Sequence, residues 1–490
     1  MADIGGCRGT IMAAGLGAVA LLAQGSATWA QEPGEIVVRQ YDNGGVYEGT
    51  FRDGRQHGQG TYRLPNGFEY SGEWVEGEIT GQGVARYPNG AVYEGMFLRG
   101  RPHGHGRMVF ADGGHYEGDW DTGEMTGEGR VEYANGVTYE GGFLTGRHHG
   151  QGVMESPGGY RYEGAWDEGI KRGEARITYA DGAVYEGRVE DGEREGEGRL
   201  TMADGALYEG QWQAGQMEGD GRLEYANGDV YEGGFLAGQR HGDGRVTYDD
   251  GATYVGRFEN DQRHGSGRYD SAEGFSYEGD WVAGRIEGEG RATYADGSVY
   301  EGQFRSGVPD GQGRMEFADG SSFEGGWSRG VISGEGVAQF ADGMVYEGAF
   351  RDGQNHGQGV MTHPDGYRYE GEWAAGQRHG QGVARYPDGS VYDGQFRSGE
   401  RHGQGRLEMP DGFTYEGDWV AGEIEGQGLA TYSTGDVYEG SFRAGQRHGE
   451  GVLRYAGGQT VSGTWEDGAL SDGTTGEDTP VMPEGPGDGG

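Results

Sequence analysis

The chain has 490 residues, of which 81 are Asp or Glu and 39 Lys or Arg, so its formal net charge is -42. A polyanion of that size is repelled by phosphate backbones and by anionic lipid headgroups, which argues against nucleic acid as a partner, and the single cysteine, Cys7, excludes a disulfide framework. With 111 glycines and only 33% hydrophobic residues, the chain lacks the material for a thick globular core, and without a period such richness in glycine would mean disorder.

Residues 1–30 read as a secretory signal peptide. Arg8 lies in a short leading region, an apolar run extends from Ile11 to Ala23, and Thr28-Trp29-Ala30 offers a cleavage site before Gln31. That run is too short for a comfortable transmembrane helix, although retention as an anchor stays open. The expected location is therefore exported, periplasmic or extracellular, with association to the envelope of a bacterial cell. Residues 31–40 are a lead-in, and repeats are expected over 41–468.

From Tyr47 onward the chain repeats itself. A Tyr-x-Gly start recurs at Tyr70, Tyr93, Tyr116 and so on to Tyr438, with Phe323 in one copy and a worn copy at Val461, every step being 23 residues. Nineteen copies without insertion or deletion describe one small unit stacked on its neighbours. In the first copy Val46 to Arg52 reads as a strand, Asp53-Gly54-Arg55-Gln56 as a turn and Gly58 to Leu64 as the return strand. Pro65-Asn66-Gly67 then turns the chain into the next unit. Asn-Gly or Asp-Gly recurs at this second turn, as in Asn89-Gly90 and Asp296-Gly297, and such dipeptides accept the positive φ of tight hairpin turns. Glycine at this density and alternation of period two both oppose helix. The expected fold is all-β: an elongated, twisted, single-layer antiparallel sheet of consecutive β-hairpins.

Successive side chains on a strand point to opposite faces, so Tyr47, Gly49 and Phe51 share one face and Glu48 and Thr50 the other. The aromatic face is carried by Tyr47, Phe51, Tyr70, Trp74, Tyr93, Phe97, Trp120, Trp281, Trp327, Trp373 and Trp419. Packed core is the main reading of these rings, and sugar stacking is the competing one. Phe and Trp alternate along the copies. Trp copies carry Ala85, Ala292 or Ala384 on the return strand where Phe copies carry Met108, Met315 or Leu407, a volume compensation within the unit. A lone hairpin buries two or three large groups worth roughly 2 to 3 kcal/mol each, while ordering its backbone costs roughly 1 kcal/mol or more per residue. Stability must then come from contact between neighbours.

After the first turn, His-Gly-x-Gly stands at His57, His103, His149, His241, His264, His356, His379, His402 and His448, while Thr80, Thr126, Arg172, Glu195, Glu218, Glu287, Asp310, Ser333 and Glu425 take the His place elsewhere. The unit Tyr-Glu-Gly-x-Phe-x-x-Gly-x-x-His-Gly-x-Gly resembles the MORN repeat over residues 41–468. That resemblance implies consecutive antiparallel hairpins and a non-catalytic role in scaffolding, self-association or membrane association. Equivalent histidines of adjoining units stand two strands apart, about 9 to 10 Å, too far for ready chelation of one ion by nitrogens about 2 Å from it. Turn stabilisation is the main reading of them. The carboxylates after each Tyr, Glu48, Glu94, Glu117, Glu140 and onward, form an acidic ladder on the polar face that opposes aggregation or weakly binds Ca²⁺. Every glycine run recurs with the period, whereas a phosphate loop is a single event, so no cofactor site and no enzyme is read here. From 469 to 490 the composition turns to Gly, Pro, Asp, Glu and Thr and reads as a disordered tail. The functional reading is an exported, non-enzymatic scaffold that meets a protein partner or a second copy; a lipid surface and cell-wall carbohydrate are the alternatives.

Overall fold

A computed structural model describes residues 34–477; the expected signal peptide and residues 478–490 lie outside the described residues. Among the described residues there are thirty-nine strands, β1 to β39 in chain order, and no helix. They fall into two compact units, 34–249 and 250–477. Within each unit the strands form an open antiparallel layer in which each strand pairs with its neighbours in sequence. This is the hairpin succession that the period implied.

The first copy shows how the repeat is built. Strand β1 (Val37–Gln40) comes from the lead-in and pairs with β2 (Val46–Arg52), which pairs in turn with β3 (Arg55–Arg63). Only Asp53 and Gly54 form the turn, at φ +48° and +79°, and Arg55 and Gln56, expected in the turn, already belong to the return strand. Two central residues at positive φ make the mirror-image turn whose twist matches that of the flanking strands, so no longer loop is needed. The residue in the place of Asp53 is never glycine, and its φ stays between +46° and +52° in every described hairpin.

The second turn works differently from the expectation. Asn66 does not adopt positive φ; Gly67 alone does, at +92°. Asn66 Oδ1 instead accepts the N–H of Phe68 at 3.0 Å, and Gly67 N–H donates to Leu64 O at 3.1 Å. Asn and Asp recur there for a side-chain oxygen that ties down the backbone two residues on. Asn89 and Asp296 hold Ala91 and Ser298 in the same way.

Tyr47 faces Tyr62 and Gly49 faces Gly60, but Phe51 then faces Gln56, so Thr50 alone stands against His57, Gly58 and Gln59. Gly58 bulges there at φ +74°, a conformation in which glycine carries no Cβ penalty. The next interface, from β3 to β4 (Glu69–Val75), runs in unbroken register from Gly58–Trp74 to Arg63–Glu69. The bulge therefore lies inside the hairpin, and the His-Gly motif is its sequence mark. At the far end β39 (Ala469–Glu477) pairs with β38 (Gln459–Glu466), so a strand occupies the start of the segment expected as tail. Trp465 facing Leu470 and Gly463 facing Gly473 continue the pattern of the repeat.

Candidate functional site

The aromatic face closes on itself. Tyr47 is fully buried and meets Phe51 of its own strand and Trp74 of the next hairpin edge-on, each at 5.2 Å between ring centres. Tyr70 does the same with Trp74 and Phe97, and Tyr93 with Phe97 and Trp120. In the second unit Trp281, Trp327, Trp373 and Trp419 lie against Tyr254, Tyr300, Tyr346 and Tyr392 at 5.2 to 5.3 Å. Such pairs contribute about 0.5 to 1.5 kcal/mol each beyond their burial. Except for half-buried Phe51, every one of these rings is buried, while at the return-strand end of the face Phe317, Phe340 and Tyr455 stay exposed.

Two polar groups of these rings are used up as well. Tyr47 donates its hydroxyl to Thr50 O, and burial pushes its phenol up to about 12. Trp74 donates Nε1–H to Gly60 O at 3.2 Å, Trp120 to Gly106 O at 3.1 Å and Trp373 to Gly359 O at 3.2 Å. The indoles thus reach back over the preceding hairpin. Ala85 faces Tyr70 and Tyr93, and Trp74 faces Ile79 and Gly58, so in register the indole's partner is not the Ala of its own hairpin. A row of glycines, Gly49, Gly60, Gly72 and Gly83, crosses the strands beneath the tyrosines. A Cβ on Gly60 would stand 2.2 Å from Tyr47 Oη.

The outward face carries a lattice of alternating charge. Glu94, Arg107, Glu117, Arg130 and Glu140 face one another in sequence across five strands. The acidic ladder is therefore interleaved with arginines, and Arg130 stands 3.7 Å from Glu140. Each exposed pair adds little stability, but the alternation removes the repulsion that a bare ladder would carry. In the second unit the lattice runs from Arg268 to Glu324. Beyond it Val337, Val360 and Val383 take the arginine places between Glu324, Glu347, Glu370 and Asp393. Val337 is 41% exposed, so this stretch offers both apolar and acidic surface. Beside the tight turns stand further exposed apolar side chains: Val75, Leu98 and Leu236 in the first unit, Val282, Val331 and Val420 in the second.

The motif histidines sit singly in their bulges: His57, His103, His149 and His241 in the first unit, His264, His356, His379, His402 and His448 in the second. Among the described residues no group of three or more His, Cys, Asp or Glu is placed to hold a metal ion. His103 Nδ1 lies 3.2 Å from Asp121 of the next hairpin, and His149 Nδ1 3.6 Å from Asp167. In four of the five bulges that carry an acid, the carboxylate accepts the N–H of the next hairpin's turn residue: Glu195 from Ala214, Glu218 from Ala237, Asp310 from Arg329 and Glu425 from Ala444, at 2.9 to 3.1 Å, while Glu287 accepts from the Ser306 hydroxyl at 3.4 Å. This place in the repeat bridges successive turns.

The sequence reading passed over the residue before the motif His. Arg194, Arg401 and Arg447 stand there and lie 4.0 to 4.2 Å over Trp212, Trp419 and Trp465 of the next hairpin. Their Nη2 groups donate to the carbonyls of Gly215, Gly422 and Gly468, which joins a cation–π contact to a hydrogen bond with the next turn. The place also holds Ile79, Pro102 and His148, and that variability hides it from a search for fixed motifs.

The MORN repeat family model matches eighteen consecutive stretches, from residues 47–68 to residues 438–460. Alsin of Rattus norvegicus is 46% identical over 52 residues, which are 10% of this chain and 3% of that protein, so the chain spans only a small piece of this curated relative. Among solved structures, the SAS-4 TCP domain of Drosophila melanogaster, in complex with a proline-rich motif of Ana2, is 14% identical with a TM-score of 0.20, over 41% of this chain and 90% of that one. Virginiamycin B lyase of Staphylococcus aureus is 10% identical with a TM-score of 0.11, over 59% and 93%. Likenesses at that level carry no argument about this chain.

Proposed function

The chain belongs to the MORN repeat family, and from that premise we propose a non-enzymatic repeat scaffold that docks protein partners on its outward face and turn edges. One observation carries this reading: the buried rings that follow the pattern of Tyr47 and Trp74 spend their surface, hydroxyls and indole N–H groups on one another and on the backbone. What repeats toward solvent is the Glu–Arg lattice, the Glu–Val stretch around Val337 and the apolar side chains beside the turns. Arrays of this type bind along extended surfaces because each unit presents the same chemistry at a fixed pitch. The leader-like residues 1–30 support export and work at the cell envelope. Capture of one envelope protein by the whole chain, lost when Val282, Val331 and Val420 become Ser, is the expected result. Equal capture by the variant would count against docking at the turn edge.

A lipid surface is the second reading, and the exposed Val75, Leu98, Val282 and Val420 favour it. The net charge opposes it on anionic membranes. Flotation with neutral and anionic liposomes, with and without Ca²⁺, separates the two: a chain that stays at the bottom in all four conditions leaves the protein-docking reading.

A further inference from the structure

One hairpin of the second unit, made of Ser322–Ser328 and Val331–Gln339, is open where its counterparts are filled. Two residues before the buried rings Tyr277, Tyr369 and Tyr415, the hairpins of Trp281, Trp373 and Trp419 carry Phe275, Tyr367 and Phe413. Each of these lies against a ring just past the return strand: Phe275 against Tyr294 at 5.8 Å, Tyr367 against Tyr386 at 5.5 Å and Phe413 against Tyr432 at 5.7 Å. In the hairpin of Trp327 the same place holds Ser321, whose hydroxyl donates to Asp319 Oδ1 at 2.6 Å. Phe340, left without that ring, is 37% exposed, whereas Tyr294, Tyr386 and Tyr432 are half-buried. A cleft of about 370 Å³ opens here, and Phe317, Ser321, Ile332, Phe340, Phe350 and Asn355 are among the residues that line it. An apolar cavity of roughly 150 Å³ already holds benzene, so the cleft has room for a ring.

The other hairpins also show which polar group belongs beside such a ring. The residue before the motif His place repeatedly holds a phenol hydroxyl: Gln56 Nε2 donates to Tyr41 Oη at 2.7 Å, Lys171 Nζ donates to Tyr160 Oη at 2.7 Å, His148 Nε2 lies 3.0 Å from Tyr133 Oη, and Arg378 Nη1 donates to Tyr367 Oη. The phenol stands fifteen residues before Gln56 and His148, and eleven before Lys171 and Arg378. Asn355 takes this place at the cleft, and its amide is a donor as well. Fifteen and eleven residues before it stand Phe340 and Met344, neither of which has a hydroxyl. A missing ring and a donor without its phenol therefore meet in one cleft.

We propose that this cleft is a binding site for one neutral phenol, which lies beside Phe340 where Tyr367 and Phe413 lie in their own hairpins and accepts a hydrogen bond from the Asn355 amide on its oxygen. The rings of Phe317, Phe340 and Phe350 supply the apolar wall against which an aromatic body packs. The Asp319 carboxylate next to Ser321 and the charge of -42 disfavour an anionic ring such as benzoate. A small free phenol and the side chain of a partner's tyrosine share this chemistry. The site belongs to the aromatic face, so it goes beyond the scaffold reading and does not rest on it, since docking there uses the outward face and the turn edges.

The test titrates the full chain with p-cresol, followed by ligand-observed NMR, with toluene and benzoate as references. The expected result is one saturable site for p-cresol and weaker binding of both references, toluene because it lacks the oxygen and benzoate because of its charge. S321F puts back the ring that Phe275 and Phe413 supply elsewhere and is expected to cut p-cresol affinity about tenfold, the equivalent of about 1.4 kcal/mol, with the circular dichroism of the parent chain. N355A tests the same site without adding volume and is expected to bring p-cresol down to the level of toluene. N-Acetyltyrosinamide separates the two sources: tighter binding than p-cresol assigns the phenol to a tyrosine of a partner protein, weaker binding to a free phenol. No saturable p-cresol binding, equal affinity of the parent chain for p-cresol and toluene, or unchanged p-cresol affinity in folded S321F or in N355A would each overturn the proposal.

Discussion

Tyr47 donates its hydroxyl to the carbonyl oxygen of Thr50, three residues on in the same strand, at 3.0 Å. Thr50 is the residue that the bulge leaves without a partner on the return strand. A buried carbonyl left unpaired costs about 1 to 3 kcal/mol, so the bulge of the His-Gly motif and the hydroxyl of the tyrosine are two halves of one device. The same bond recurs from Tyr93 to Met96, Tyr208 to Gln211 and Tyr438 to Ser441 at 2.9 to 3.1 Å.

Phe323 lacks that hydroxyl, and the corresponding carbonyl belongs to the buried Gly326. Phe323→Tyr is expected to stabilise the hairpin by about 1 kcal/mol. Amide hydrogen exchange over Ser322–Gln339 would slow relative to the other hairpins; unchanged exchange would show that Gly326 O has no need of the bond.

Asp261 holds φ +65° beside Asn260 at +49°, where every other tight turn carries glycine second. A left-handed conformation costs a non-glycine residue about 1 to 2 kcal/mol. Asp261→Gly should raise the urea midpoint of the second unit, whereas Gly284→Asp, which repeats the strain one hairpin on, should lower it.

Space and conformation can be separated with three glycines. Gly405→Ala would put a Cβ 2.2 Å from Tyr392 Oη and is expected to cost about 1 to 3 kcal/mol through overpacking. At Gly399 there is open space but φ is +85°, so alanine there costs backbone strain alone, about 1 kcal/mol. Gly457 has neither constraint, and its replacement should leave the thermal midpoint unchanged.

Acid and alkali should loosen the protein for different reasons. Burial lowers His148 to about 4, so it binds its proton more readily when unfolded, and the stability it contributes is present above about 6.5 and lost as pH falls toward 4. His148→Met should flatten that loss. Burial raises Tyr47, Tyr300 and Tyr346 to about 12, so their stabilising neutral form is secure below about 10 and fails as pH rises through 12. Tyrosinate absorbance of these core rings would then appear together with loss of the β signal by circular dichroism, and an earlier ordinary titration of them would contradict their burial.

Strand Val46–Arg52 was legible with both its ends, because alternation of Tyr47, Gly49 and Phe51 with the polar Glu48, Thr50 and Arg52 is a local pattern of period two. The two turns were not, since Asp53-Gly54 and Asn66-Gly67 are nearly the same dipeptide; one uses positive φ at both residues and the other a side-chain oxygen, and only the register of the flanking strands selects between them. Arg107 lies thirteen residues after Glu94 and ten before Glu117, so reading along a strand showed a row of acids where folding makes an alternating lattice. The surroundings of Lys171 come from three rings, Tyr160, Tyr162 and Trp166, which lie five to eleven residues from it along the chain and meet it only across the hairpin. The amino-acid order by itself determined the period, the hairpin and the family, because these follow from nearest neighbours along the chain. Which groups face one another, and so which surface is spent inside and which is left for a partner, was decided by the pairing of strands, a relation between distant residues that hydrogen bonds and ring packing set only when the hairpins meet.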